Sequence, residues 1–254
     1  MQTPKAFWIY IVRRFSGELL ILHPFRRESP IFRDPEGTIL EGRYASEPGP
    51  GEAELIRTVL HEELEKGLRK DTLDRGFYLR LVISAGVFLV LYLFLSIVIR
   101  DPVPLVDELL VGGLGAFAAW FALERRALSS EDLALRSAYL RRTLDAAIFR
   151  PSLAAKYLEE FLQDVETLDP ERLAEYPASP GGEGFSDEES RDLAELANAL
   201  EARLLPEDVE EAKKSASDPG DIPRLIRRLA GRRKRDLPLL LSYIRIKVLS
   251  GVDG

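Results

Sequence analysis

The feature that most limits how this chain can fold is a run of 23 residues, Phe77 to Ile99, in which Arg80 is the only charge. A helix needs about 20 predominantly apolar residues to cross the roughly 30 Å of hydrocarbon in a bilayer. An arginine close to one end of such a helix can extend its guanidinium to the lipid headgroups. The run therefore predicts a transmembrane helix.

A second apolar run covers residues 103–123 and follows the first after a short connection that contains Pro102. It carries Asp107 and Glu108 near its start, so its transfer into lipid is less favourable than that of the first run. Proline suits the first turn of a helix, because the N–H group that it lacks is not needed there. The two runs together predict a two-helix transmembrane hairpin over residues 77–123.

Basic residues beside the two runs indicate how this hairpin is oriented, because positive charges accumulate on the cytoplasmic side of membrane helices. The connection between the runs offers only Arg100. The outer flanks offer Lys66, Arg69, Lys70, Arg75, Arg125 and Arg126. We therefore expect a multi-pass protein of an inner or cytoplasmic membrane with both termini in the cytoplasm, and the lack of cysteine fits that reducing compartment.

Three further segments complete the predicted organisation. Residues 1–50 contain short apolar runs separated by turn residues, which predicts a small N-terminal cytoplasmic segment folded as a β-meander or as α+β. Residues 51–76 repeat an aliphatic side chain at every fourth position, which predicts an amphipathic juxtamembrane helix. Residues 124–254 predict a cytoplasmic helical domain with a linker near 176–185. The predicted fold class is thus a mainly α membrane protein.

Helix boundaries within the C-terminal domain follow from local signals. Ser129 with Asp132, and Ser186 with Glu189, have the spacing of a capping box. We predict helices at about 130–149, 151–166, 186–204, 206–216, 221–231 and 236–249. The last of these segments also alternates like a strand, so helix and strand both remain open there.

Charge is segregated in this C-terminal domain. Residues 168–211 contain 14 acidic and three basic residues, whereas residues 224–247 contain nine basic and one acidic residue. The basic part either pairs with the acidic part inside the fold or binds anionic lipid headgroups. Nucleic acid is disfavoured, because the whole chain carries a net charge of −7 and no aromatic side chains interleave with the basic run. The candidate lipid patch is Arg227, Arg228, Arg232, Arg233, Lys234 and Arg235.

Signatures of catalysis are missing from the sequence. The histidines are His23 and His61, and there is no cysteine. His61 stands beside Glu62 and Glu63 on the predicted helix, but consecutive residues on a helix point in different directions, which disfavours a shared metal site. The glycines at 112, 113 and 115 superficially resemble a phosphate-binding loop, but they lie within an apolar run and no Lys-Ser or Lys-Thr follows them. We therefore expect no enzymatic activity, no metal site and no cofactor.

The acids of the second apolar run allow three interpretations. Glu108, Gly112, Gly115 and Ala119 share one helical face, which is the kind of small-residue face that lets membrane helices approach closely. Asp107 lies about 100° round the helix from Glu108. The acids are helix-start carboxylates favoured by the helix dipole, or the face packs on the first helix, or it packs on symmetry mates. In the last case a ring of Glu108 side chains would line a cation pore.

These features together predict a two-pass membrane protein that acts as a non-enzymatic, membrane-anchored interaction or assembly module. The expected partners are the lipid bilayer, with anionic lipid at the basic patch, and either further copies in a homo-oligomer or another membrane protein. The alternative is a homo-oligomeric cation channel with Glu108 and its small-residue face at the outer pore mouth. The size of the oligomer separates the two, because a single hairpin cannot enclose a pore.

Overall fold

The computed structural model describes residues 5–99, 106–176, 186–216, 219–231 and 236–249. Its strands are β1 (Lys5–Arg13), β2 (Leu19–Leu22), β3 (Thr38–Tyr44) and β4 (Ile148–Pro151). Its helices are α1 (Pro50–Arg75), α2 (Phe77–Ile99), α3 (Val106–Leu128), α4 (Glu131–Asp145), α5 (Leu153–Val165), α6 (Pro170–Glu175), α7 (Asp187–Glu201), α8 (Pro206–Ala216), α9 (Ile222–Ala230) and α10 (Leu237–Leu249). Two short 3-10 helices, Pro30–Phe32 and Pro219–Asp221, complete the described elements.

The strands form one mixed sheet in the order β2-β1-β3-β4. β1 and β2 are an antiparallel pair whose turn contains Gly17 at a φ of 83°, a conformation that glycine adopts without strain. β3 runs parallel to β1, and β4 runs parallel to β3. The predicted β-meander is therefore wrong, because β3 does not follow β2 in the sheet and because the fourth strand comes from beyond residue 145.

The pairing of β3 with β4 depends on one glycine. Gly42 is the register partner of Phe149, and a Cβ atom at position 42 would overlap the ring of Phe149. The absence of a side chain at Gly42 therefore lets the aromatic ring lie directly against β3. The sequence-based prediction of helix up to residue 149 fails here, since α4 ends at Asp145 and β4 follows.

The chain divides into two compact units. The first unit comprises residues 1–24, 38–58 and 146–254, and its core joins β1 and β2 with helices α5 to α10. Tyr10 and Val12 from β1 belong to the same buried cluster as Leu158 from α5 and Ile244 from α10. The N-terminal strands and the C-terminal helices thus share one core, whereas the sequence suggested a boundary between separate N-terminal and C-terminal parts.

The second unit comprises residues 25–37 and 59–145 and includes most of α1 together with α2, α3 and α4. Leu60, Leu64 and Leu68 are buried, as the four-residue repeat of α1 predicts. α1 leads into α2 with little interruption, since the N–H of Arg80 donates to the carbonyl of Gly76 at 3.0 Å. α3 packs along α2 in the opposite direction, because Trp120 contacts Phe77 while residues earlier in α3 contact residues later in α2.

The predicted two-helix transmembrane hairpin is not supported by the structure. Among the described helices, only α2 is long and apolar enough to cross a bilayer, over Phe77–Ile97 with a mean hydropathy of 2.2. α3 carries Glu108 near its start and Glu124 and two arginines near its end, which leaves 15 uncharged residues between them. At about 1.5 Å per residue this stretch covers about 22 Å, less than the roughly 30 Å of hydrocarbon. The prediction is therefore wrong for the second helix.

Helix starts in the C-terminal region agree with the sequence in part. Ser186 forms the predicted capping box with Glu189, whose backbone N–H donates to the Ser186 hydroxyl at 3.3 Å. The predicted cap at Ser129 is wrong by one residue, since the Leu133 N–H donates to Ser130 Oγ at 3.3 Å. The segment that remained open between helix and strand is helix α10. The predicted linker near 176–185 lies, beyond Tyr176, outside the described residues.

Candidate functional site

One group of the sequence-predicted site residues lies on α3, which packs along α2. A Cβ atom at Gly112 would lie 3.1 Å from the ring of Phe88, and one at Gly115 would overlap Leu91. Glu108 is buried, with 3% of its surface exposed, and Ala119 is half-buried. The small-residue face of α3 therefore packs on α2 of the same chain. The side chain of Asp107 lies outside the described part of the structure.

In the described parts of α2 and α3, three polar side chains are buried. Among the described residues, Glu108 Oε2, Ser84 Oγ and two guanidinium nitrogens of Arg80 have no hydrogen-bond partner. The Arg80 guanidinium lies 5.3 Å from the centre of the Trp120 ring and donates from its remaining nitrogen to the Leu73 carbonyl. A guanidinium over an indole face is a favourable cation–π contact. Arg80 is thus held at the end of α2 that adjoins α1.

The outer surface of the α2 and α3 pair is strongly apolar. Only 11% of the apolar stretch Phe77–Ile97 in α2, the candidate span, is buried. In contrast, the core helix of a water-soluble protein is mostly buried. The exposed side chains of the two helices include Tyr78, Leu79, Val82, Leu89, Val90, Phe94, Ile97, Leu110, Leu114, Phe117 and Phe121. Exposed apolar surface on this scale is typical of a protein–protein or membrane interaction site.

The basic patch is partly neutralised within the fold. Arg227 lies 3.8 Å from Glu175, and Arg228 lies 3.1 Å from Glu211. These two ion pairs agree with the interpretation in which the basic part of the C-terminal domain pairs with its acidic part inside the fold. Arg232, Arg233, Lys234 and Arg235 lie outside the described residues.

A buried polar cluster in the first unit was not predicted. The Tyr10 hydroxyl donates to Asp192 Oδ1 at 2.8 Å, and the Ser152 hydroxyl donates to Asp192 Oδ2 at 2.5 Å. Ser152 also caps α5, since its oxygen accepts from the Ala155 N–H at 3.1 Å. Burial, with the neighbouring Asp192 carboxylate, raises the pKa of Tyr10 well above its ordinary value, so the phenol stays a neutral donor. The cluster ties β1 to the starts of α5 and α7.

An open cleft of about 490 Å³ adjoins this cluster. Arg43 and Arg191 lie 5.1 Å and 5.9 Å from the centre of the Trp8 ring. Glu41 forms an ion pair with Arg43 at 3.2 Å, and further carboxylates of α7 line the cleft. The cleft therefore presents aromatic, cationic and anionic groups side by side.

His61 lies 2.8 Å from Asp145 through its Nε2 atom. Within the described ranges no group of three His, Asp or Glu side chains is arranged to hold a metal ion. Comparison of the chain with protein-family models, with curated proteins and with solved structures finds no match.

Proposed function

We propose that this chain is a membrane-anchored, non-enzymatic interaction or assembly module whose anchor includes α2. The observation that carries the proposal is that the 21-residue stretch Phe77–Ile97 of α2 has a mean hydropathy of 2.2 although only 11% of it is buried. Removing apolar surface from water is favourable by about 25 cal/mol per Å², so lipid is a favourable surrounding for this helix. A signal sequence is a poor alternative, because three strands and α1 precede α2.

α3 runs back along α2 in the opposite direction and contributes to the same anchor. Its small-residue face lies on α2, while Leu114, Phe117 and Phe121 are exposed on its other side and extend the apolar surface. Arg125 and Arg126 follow at its end, where a cation can interact with lipid headgroups.

The connectivity of the first unit supports the proposed location, an inner or cytoplasmic membrane with both termini in the cytoplasm. β3 precedes α2 in the sequence, β4 follows α3, and the two strands are paired from Glu41 with Ile148 onward. A sheet cannot hold together across a bilayer. The chain segments before and after the anchor therefore share one side of the membrane, and the basic flanks favour the cytoplasmic side.

The cation-channel alternative agrees less well with the packing of the described part of α3. Its pore would require the face of Glu108, Gly112 and Gly115 to point at neighbouring copies, whereas this face packs on α2. The interaction module agrees better with a folded first unit that presents the cleft beside Trp8.

Labelling of single cysteines tests the location. Glu47 and Asp187 are exposed, belong to the first unit and lie on either side of the anchor in sequence, and the chain has no native cysteine. We expect the full chain with Glu47→Cys or Asp187→Cys to pellet with membranes and to resist carbonate extraction. Both cysteines should react with a membrane-impermeant maleimide only after the cells are permeabilised.

Two results would contradict the proposal. Reaction of one cysteine but not the other in intact cells would place the two parts of the first unit on opposite sides of the membrane. Recovery of the wild-type chain in the soluble fraction would show that it is not anchored in membranes.

A further inference from the structure

We propose that the outer edge of β4 binds an extended segment of a partner protein as an additional antiparallel strand, an inference that rests on the proposed interaction module and names its class of partner. β4 is the last strand in the order β2-β1-β3-β4. A strand at the edge of a sheet presents unpaired main-chain groups to which another chain can bond. Peptides that bind in this way gain affinity from main-chain hydrogen bonds and selectivity from alternate side chains.

The register of β4 defines which of its main-chain groups point outward. The Ser152 N–H donates to the Tyr44 carbonyl at 3.0 Å, which directs the main-chain groups of Ser152 and Arg150 towards β3. Phe149 and Pro151 alternate with them and direct their groups away from β3. Among the described residues, none bonds to the N–H or the carbonyl of Phe149. Pro151 has no N–H, but its carbonyl is a second acceptor, so the edge offers one donor and two acceptors in register.

The side chains on one face of this edge determine which partner fits. Ile148 is 61% exposed and is the register partner of Glu41, which lines the cleft beside Trp8. Arg150 is exposed and lies on the same face, beside its register partner Arg43. Arg43 already forms an ion pair with Glu41, whereas Arg150 has no ion pair among the described residues. Arg150 can therefore pair with a carboxylate of the partner.

An antiparallel strand beside β4 has a defined side-chain pattern. Its residue opposite Phe149 exchanges two main-chain hydrogen bonds with Phe149. The preceding residue of the partner then lies beside Arg150, and the following one lies beside Ile148. Opposite charges and apolar pairs on neighbouring strands are favourable. An acidic residue two positions before an apolar residue therefore fits this edge, while the charge of Arg150 disfavours a basic strand.

Binding of a labelled peptide to the full chain in detergent tests the main-chain part of the proposal. The probe is the fluorescein-labelled, amidated peptide Ser-Thr-Glu-Thr-Val-Thr-Ser, and fluorescence anisotropy should show saturable binding. N-methylation of its central threonine removes the N–H that donates to the Phe149 carbonyl and places a methyl group between the strands, so binding should weaken at least about tenfold. N-methylation of the glutamate removes an N–H that points away from β4 and should leave binding unchanged.

Reversal of one charge tests the side-chain part. Arg150→Glu should weaken binding of the probe by about fivefold, because a favourable cross-strand pair becomes a repulsive one. The same variant should bind more tightly a second probe that has lysine in place of glutamate. Arg172→Glu makes the same charge change at an exposed position of α6 in the same unit, and should bind both probes as the wild type does.

Three results would overturn the proposal. Absence of saturable binding, or equal effects of the two N-methyl groups, would show that the probe does not pair with β4. Equal losses for Arg150→Glu and Arg172→Glu would assign the binding to diffuse charge. A wild-type dimer in detergent that the probe dissociates would assign the edge to a second copy of the chain. Because these titrations use detergent, failure of the anchor would appear separately, as loss of flotation with phosphatidylcholine vesicles.

Discussion

The double substitution Leu89→Lys, Val90→Lys is expected to release the full chain from membranes. Both residues lie near the middle of Phe77–Ile97, and 55% and 67% of their surfaces are exposed, so they belong to the face that lipid would cover. A lysine at the centre of a membrane helix costs about 2.5–3.5 kcal/mol, and two therefore cost about 5–7 kcal/mol. Flotation with phosphatidylcholine vesicles, followed by carbonate extraction, measures the fraction that remains attached.

Two control variants accompany this experiment. Leu89→Ile, Val90→Leu keeps the surface apolar and should float as the wild type does. Leu55→Lys adds a charge at an exposed apolar position of α1, outside the candidate span, and should also leave flotation unchanged. Undiminished flotation of the double lysine variant would show that α2 is not in lipid.

Asp192→Ala is expected to destabilise the first unit by about 2–4 kcal/mol. The substitution removes the acceptor of both the Tyr10 and the Ser152 hydroxyl, and a buried hydroxyl without an acceptor costs about 1–3 kcal/mol. The loss is limited because Tyr10 also donates to the main-chain carbonyl of residue 192 at 3.0 Å. Domains of this kind are stable by about 5–15 kcal/mol, so the change is readily measured.

Denaturant unfolding monitored by Trp8 fluorescence in a Trp120→Phe background reports this unit, since Trp8 lies 6.4 Å from Tyr10 between ring centres. Tyr10→Phe is the matched variant. It removes one hydroxyl but leaves Asp192 bonded to Ser152, and should cost only about 1 kcal/mol. A loss for Asp192→Ala no larger than that for Tyr10→Phe would contradict the role of this carboxylate.

Much of the helical structure could be predicted from local sequence. The apolar run of α2, the four-residue repeat of α1 and the capping box at Ser186 are each encoded within a few turns. The pairing of β3 with β4 could not be predicted, because it joins residues about 100 positions apart and β4 has only four residues. Local periodicity contains no information on such a pairing.

The candidate site, too, could be predicted from the sequence only in part. The spacing of Glu108, Gly112 and Gly115 predicts that they share one helical face, but the same spacing is compatible with packing within one chain or between copies. The prediction that the second helix spans the membrane was wrong, because it gave more weight to the apolar residues of this helix than to the charges at both of its ends. The cluster of Tyr10, Ser152 and Asp192 joins three distant segments and has no motif.

The two tryptophans of the chain offer the most direct test of the central claim, that α2 lies in lipid. Trp120 contacts Phe77 at the start of the candidate span, whereas Trp8 lies beside the cleft of the first unit. In vesicles of brominated phosphatidylcholine, the Trp8→Phe variant should be quenched, more strongly by bromines near the carbonyl level than by bromines near the bilayer centre. The Trp120→Phe variant, which retains Trp8, should be unaffected. Equal fluorescence of the Trp8→Phe variant in brominated and unbrominated vesicles would contradict the membrane anchor.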